Sequence, residues 1–177
     1  MVITVATEAE KKALIPKQYW DKVIVTGIGI MNTIMSLKYV DEDLIVNVGY
    51  AGAKDIPIGT VCMVSECEPY QVHNLPQSNA PMYEPNVNIP SYICYTATDF
   101  IEYSSKPGPF LVDMELIGHI VTKSPVISIK IVSDDMNMKS YEEALNKDYA
   151  KEVEAILKEI EVLRWKDLWS LRIFVVK

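Results

Sequence analysis

The chain has 177 residues, 49% hydrophobic and 23% charged, which suits one globular domain with a sizeable core and excludes global disorder. A formal charge of −7 argues against a nucleic-acid partner, which would need a basic face. No apolar run reaches the roughly 18 to 20 residues that span a bilayer, so no membrane association is expected.

The N-terminus, MVITVATEAEKK, turns acidic directly after a short apolar stretch. Val2 to Ala6 therefore reads as a first strand and not as a secretory leader. Thr7-x-x-Glu10 is a capping box that opens a short helix, which must end before Pro16. Lys22 to Thr26 is a second strand candidate and runs into Thr26-Gly27-Ile28-Gly29-Ile30-Met31-Asn32. Two glycines between a strand and the helix over Ile30 to Tyr39 free backbone N–H groups for a ligand. A dinucleotide fingerprint is disfavoured, because the third glycine is missing and Asp41 and Asp43 precede the next strand. Leu44 to Val48 and Thr60 to Val64 are further strands. Between them Asn47-Val48-Gly49-Tyr50-Ala51-Gly52-Ala53 reads as a small-residue turn suited to close backbone contact.

Seven of the ten prolines lie between Pro69 and Pro109, and Glu68 to Pro90 shows no usable periodicity. Loops of that length are usually functional lids or disordered. Ser91 to Thr96 is a strand, and another run ending at Val112 opens into a helix-like segment over Met114 to Thr122. The β-branched run Pro125 to Val132 stops at Ser133-Asp134-Asp135. Ser140 and Glu143 form a second capping box, after which Leu145, Tyr149, Val153, Ile156, Leu157, Ile160 and Leu163 recur at helical spacing. The tail ends in a strand-like Ile173 to Val176. Strands interleaved with helices predict a single domain over residues 1–177, a three-layer α/β/α sandwich around a mixed, mostly parallel sheet.

Acids after buried strands sit at the rim of such a sheet, where ligands bind. Asp134, Glu115 and the pair Glu8 and Glu10 thus point to acid/base chemistry in one crevice. Taken singly, Glu10 could serve only its capping box, and Asp134 only a turn. His73 and His119 are too few and too separated for a metal site, and His119 reads as a helix residue without catalytic role. Cys62, Cys67 and Cys94 are odd in number and lack Cys-x-x-Cys spacing, which suits reduced thiols in a cytoplasm.

Four blocks follow in order: VATEAE, TGIGIMN, NVGYAG with Ile58-Gly59-Thr60-Val61, and VDME paired with VSDDMN. Together they resemble the purine nucleoside phosphorylase and nucleosidase superfamily, nearest its 5′-methylthioadenosine/S-adenosylhomocysteine nucleosidase branch. The Ala-Thr-Glu-Ala-Glu start also resembles futalosine hydrolases, and Thr98-Asp99-Phe100-Ile101 is similar to the family's base-stacking segment. The resemblance implies that Asp134, beside Ser133, protonates N7 of a leaving purine, while Glu10 aligns the attacking water as general base. It implies that Glu115 binds the ribose hydroxyls with Met114 against the sugar, and that Phe100 stacks on the base, whose edge the Ile101 backbone reads. Tyr50, Ala51 and Gly52 would border the ribose. Cleavage of this bond passes through an oxocarbenium-like state that needs such an acid and base. No metal or organic cofactor is implied, and the partners are a small-molecule nucleoside and a second copy of the chain. Tyr70, Leu75, Met82 and Tyr83 offer apolar surface for that homodimer or higher homo-oligomer.

Phosphorolysis would need cations on the phosphate, usually arginines. Both arginines, Arg164 and Arg172, lie outside every matching block, so hydrolysis is favoured over a phosphate-dependent phosphorylase. Tyr50 stands where the family usually has a small polar residue, and Asn137 where a second acid is common. The stretch between Val64 and Thr96 is short for the family. A catalytically degenerate nucleoside-binding protein is the alternative: Tyr50 either places its hydroxyl on the ribose or Glu115, or plugs the pocket.

Overall fold

The computed structural model describes residues 1–70, 88–122 and 124–162. The strand-like tail and most of the proline-rich loop, with Leu75, Met82 and Tyr83, lie outside these residues. Seven strands form one sheet: β1 (Val2–Val5), β2 (Val23–Val25), β3 (Ile45–Lys54), β4 (Val61–Pro69), β5 (Ser91–Thr96), β6 (Phe110–Asp113) and β7 (Val126–Asp134). Five of the pairings are parallel, and β3–β6 and β4–β7 are antiparallel. The sheet is mixed and mostly parallel, as the alternation of elements predicts.

The open sandwich needs correction. In the order β2-β1-β3-β6-β5-β4-β7 the last strand pairs again with β3, so five strands close into a barrel and β1 and β2 extend from it. Closure is possible because β3 is ten residues long. Its first part runs parallel to β7, and Gly52–Lys54 turn to β6. Register shifts at Ala51/Gly52 and Val64/Glu66 supply the local bends that curl a sheet. Asn47 to Ala53 is therefore continuous strand and not a turn.

Side-chain alternation sorts the core. Ile3, Val46, Val48, Ile127 and Ile129 pack with α1 (Glu8–Leu14) and α4 (Ala150–Val162). The opposite parity, including Val2, Ile45, Ala51, Cys62, Cys94, Leu111 and Val132, forms a second cluster with Leu116 and Ile117. Helices thus still cover both faces of β1, β3 and β7. Along one register row the second face is polar. Ser128 Oγ donates to Asn47 Oδ1 at 3.0 Å, Asn47 Nδ2 to Thr4 Oγ1 at 3.4 Å, and Thr4 Oγ1 meets His119 Nε2 at 2.9 Å. All four groups are buried, and the row is satisfied internally.

The capping box is realised in full: Thr7 Oγ1 accepts from the Glu10 N–H, and the Glu10 carboxylate accepts from the Thr7 N–H at 2.9 Å. The helix predicted from Ile30 is α2 (Ile30–Leu37), and the one after Met114 is a 3-10 turn over Leu116–Val121. The last helix is two. α3 (Met138–Ala144) is capped by Asn137, whose Oδ1 accepts from the Lys139 N–H, while Ser140 Oγ donates to Asp135. Asn146 to Asp148 interrupt the run, and α4 begins at Ala150 beside the Asp148 carboxylate. Polar residues that bond their own backbone explain both breaks.

Candidate active site

A cavity of about 280 Å³ opens where β3, β6 and β7 end, and the start of α2 and α3 close its sides. Asp134 and Ser133 reach it from the end of β7, and Met114 and Glu115 follow β6. Tyr50, Ala51 and Gly52 border it from β3, Glu10 from α1, and Phe100 and Ile101 from the loop after β5. Of the residues singled out in the sequence as site candidates, all but Glu8 are thus brought to one cavity. Glu8, the competitor of Glu10, points to solvent.

Small residues of β3 make room for the acids. A Cβ at Gly49 would lie 3.3 Å from Glu10 Oε1, and the same oxygen accepts from the Tyr50 N–H at 3.1 Å. Glu10 thereby serves its capping box with one oxygen and reaches into the site with the other. Burial pushes its carboxyl above the ordinary range, against the pull of the Tyr50 amide and the Lys130 charge. Asp134 Oδ2 accepts from Ser133 Oγ at 2.7 Å, and Oδ1 from the Met136 N–H at 2.9 Å. Burial raises its carboxyl as well, and these two donors and the Asn137 amide oppose the shift. Glu115 is raised to about 7, first by burial and then by Asp113, with Lys130 and the Gly29 amide pulling it down. All three carboxyls are shifted toward their protonated forms by burial, the direction that suits proton transfer in a crevice.

Sequence reasoning missed the floor of the site. Lys130, fully buried, donates to Asp113 Oδ2 at 2.8 Å, and Asp113 also accepts from Thr96 Oγ1 at 2.6 Å and the Leu116 N–H at 2.9 Å. Burial works against the ammonium, but Asp113 and Glu115 hold it above its ordinary value. The signal was present: Lys130 is a lone charge within the apolar run Val126 to Val132. Tyr141 of α3 was also missed; its ring lies 6.2 Å from Phe100 and edge-on to Tyr50.

Tyr50 neither reaches Glu115 nor fills the cavity. Its ring packs between Tyr141 and Tyr149 on the α4 side, with its hydroxyl donating to the Ala144 carbonyl at 3.4 Å. The hydroxyl bond to Glu115 is replaced because odd and even residues of a strand face opposite ways, and Tyr50 has the parity of Val48. His119 lies beneath the site and not in it; burial lowers it to about 4, so the ring is neutral and joins Thr4 to the Leu116 carbonyl. Among the described residues no group of three or more His, Cys, Asp or Glu is arranged to hold a metal ion, and no helix is long and apolar enough to cross a membrane.

In its fold, a closed mixed barrel extended by two parallel strands, the chain is similar to 5′-methylthioadenosine/S-adenosylhomocysteine nucleosidases of known structure. The one from Neisseria meningitidis, solved in complex with methylthio-immucillin-A, matches with a TM-score of 0.70 and 16% identity over 92% of this chain and 98% of its own. That from S. pneumoniae, with a transition-state inhibitor, matches at 0.67 and 17% over the same shares. A Chlamydia trachomatis MTAN matches at 0.69 and 18%, again over 92% and 98%. No family model and no curated protein matches by sequence, so the likeness is one of fold.

Proposed function

We propose that the protein hydrolyses the N-glycosidic bond of a purine nucleoside of the methylthioadenosine, S-adenosylhomocysteine or futalosine kind. The observation that carries this is the convergence of buried Asp134 and Glu10 and half-buried Glu115, all three raised, on one cavity walled by Phe100 and Met114. In this reading Asp134 gives its proton to N7 as the C1′–N9 bond breaks and the bonding pair leaves with the base. Glu10 takes a proton from the water whose oxygen adds to C1′. Glu115 holds the ribose hydroxyls, Met114 lies on the sugar, and Phe100 stacks on the purine beside the Ile101 backbone. Tyr50, withdrawn into the core, leaves the ribose space open, which favours an enzyme over a plugged relic.

Among the described residues that border the cavity none is a cation, and the buried Lys130 is committed to Asp113. Phosphate would enter facing carboxylates, so water is the better nucleophile. Incubation with a nucleoside panel, with and without phosphate, tests the reading. Free base and the free sugar, its 5-substituent retained, are expected without phosphate, and base release that requires phosphate and yields the corresponding sugar 1-phosphate would overturn it. Asp134→Asn keeps the shape and removes the transferable proton, so turnover should fall about 10² to 10⁴-fold.

The same reading makes the chain a cytoplasmic homodimer, with a place in methionine salvage if methylthioadenosine is the substrate. Its three cysteines are buried free thiols, and burial raises Cys62 and Cys67 to about 12, which suits a reducing compartment. Ile28, Met31, Met35 and Tyr39, on α2 and just beyond its two ends, are exposed apolar residues that a second copy could cover. Sedimentation at micromolar concentration should give twice the chain mass; a clean monomer would remove the dimer.

A further inference from the structure

Glu115 is tied to an element that the nucleosidase reading leaves without a task. The turn before α2 contains Gly27 and Gly29, both with positive φ, and the Gly29 N–H donates to Glu115 Oε1 at 2.8 Å. Gly29 has φ 92° and ψ 159°, a region essentially closed to residues with a Cβ. A Cβ there would meet nothing within 4 Å, so space does not demand glycine at 29; the backbone conformation that aims its N–H does. The turn cannot drift from Glu115 either. A Cβ on Gly118, three residues past Glu115, would lie 2.7 Å from Thr33 Cβ and 2.9 Å from the Ile30 carbonyl, so the first turn of α2 rests directly on the 3-10 turn that Glu115 opens. Glu115 Oε2 has the Met114 N–H at 3.3 Å as its one partner among the described residues.

We propose that Gly29 is a positioning residue of the site: its N–H takes up Oε1 of Glu115, fixes the carboxylate, and leaves Oε2 for the hydroxyls of a bound sugar. The glycine turn thus acts on the substrate through an acid and not by cradling a phosphate. The charged groups that face Glu115 are Asp113 from β6, Lys130 from β7 and Glu10 from α1, and Gly29 is the backbone donor from the α2 side. A donor to the charged form favours that form, so losing it should move the Glu115 titration upward.

The kinetic part of the test rests on the nucleosidase reading and the spectroscopic part does not. In the wild-type protein without ligand, the Gly29 amide proton should shift in step with the ¹³C titration of the Glu115 carboxyl, and Glu115→Gln should abolish that shift. A Gly29 amide that stays flat while Glu115 titrates overturns the proposal, whether or not any nucleoside is cleaved. In Gly29→Ala the Glu115 titration should move up. KM should rise about tenfold, the loss expected for a hydrogen bond to a charged group, with kcat within about twofold. In a Glu115→Gln background the same glycine substitution should add no further change in KM. Independent, additive losses would mean that Gly29 only starts a helix, and would equally overturn the role. If Gly29→Ala does not fold, the wild-type amide titration decides alone.

Discussion

Gly52 and Asp134 are register partners across β3 and β7, and a side chain at position 52 would place its Cβ 2.8 Å from Asp134 Oδ1. Asp134 has no room to yield, because Ser133 and the Met136 amide hold its two oxygens. Gly52→Ala should therefore displace the acid while the fold survives. Overpacking of this kind costs about 1–3 kcal/mol. Base release should drop at least tenfold, on the order of what misplacing a proton donor costs. A Gly52→Ala variant with near wild-type turnover would separate Asp134 from the chemistry.

Stability should carry the signature of Glu115. Its native value, about 7, lies above the ordinary 4.5, so the native state binds the proton more tightly than the unfolded chain. That contribution is fully present below about 4.5 and is lost as pH rises through about 7. His119 acts in the opposite sense between about 4 and its ordinary 6.5, because it stays neutral when buried and the unfolded ring takes a proton. The clean observable is the difference in Tm between wild type and Glu115→Gln, which should fall across pH 4.5 to 7 and be flat above. A difference independent of pH would mean that Glu115 titrates normally.

Removing Lys130 alone should be severe. Lys130→Met leaves the Asp113 carboxylate buried without its cation, a loss of about 3–5 kcal/mol. Adding Asp113→Asn should recover much of it, since the amide still suits the Thr96 and Leu116 donors in part and carries no charge. Denaturant midpoints of the two variants check this; a double variant no more stable than Lys130→Met would show that the cation matters for packing alone.

Tyr50→Ser should disturb the core and not the substrate preference. The phenol ring lies between Tyr141 and Tyr149 in the principal hydrophobic cluster, and truncating a buried aromatic costs about 3–5 kcal/mol. Tyr50→Phe removes only the 3.4 Å contact to the Ala144 carbonyl and should be nearly silent. Thermal melting of both, with the ranking of substrates as second readout, distinguishes this from a ribose-facing tyrosine.

The strands that were legible carried a period or a run: β5 matches Ser91 to Thr96 at both ends, and Thr7 with Glu10 announced α1 through a local bond. What could not be read was set by partners far along the chain. Gly49 and Gly52 look like turn residues in the sequence, yet they lie within β3 because Glu10 and Asp134 lean over them. Ser140 and Glu143 match a capping box, but Asn137 competed for the helix start and Asp135 took the Ser140 hydroxyl. Barrel closure depends on β3 meeting β7 across some eighty residues, which no local pattern records. Asp134, Glu115 and Glu10 stood out as acids that follow strands, whereas Phe100, Ile101 and Met114 were marked by the family resemblance alone; Lys130 was not singled out, because a charge inside an apolar strand acquires meaning only once Asp113 stands opposite.

One stretch of β3 serves as a gauge. Glu10 rests over Gly49 on the Tyr50 amide, and Asp134 rests over Gly52, so both carboxylates are seated on the backbone of one strand at positions three residues apart. The two seats are therefore set by a count of peptide units along β3. Exchanging the side chain at Ala51 for another small one leaves that count alone. Inserting or deleting a single residue there would change it by a whole step and turn every later residue of the strand to the opposite face. In this segment the chain is constrained in number more than in letter.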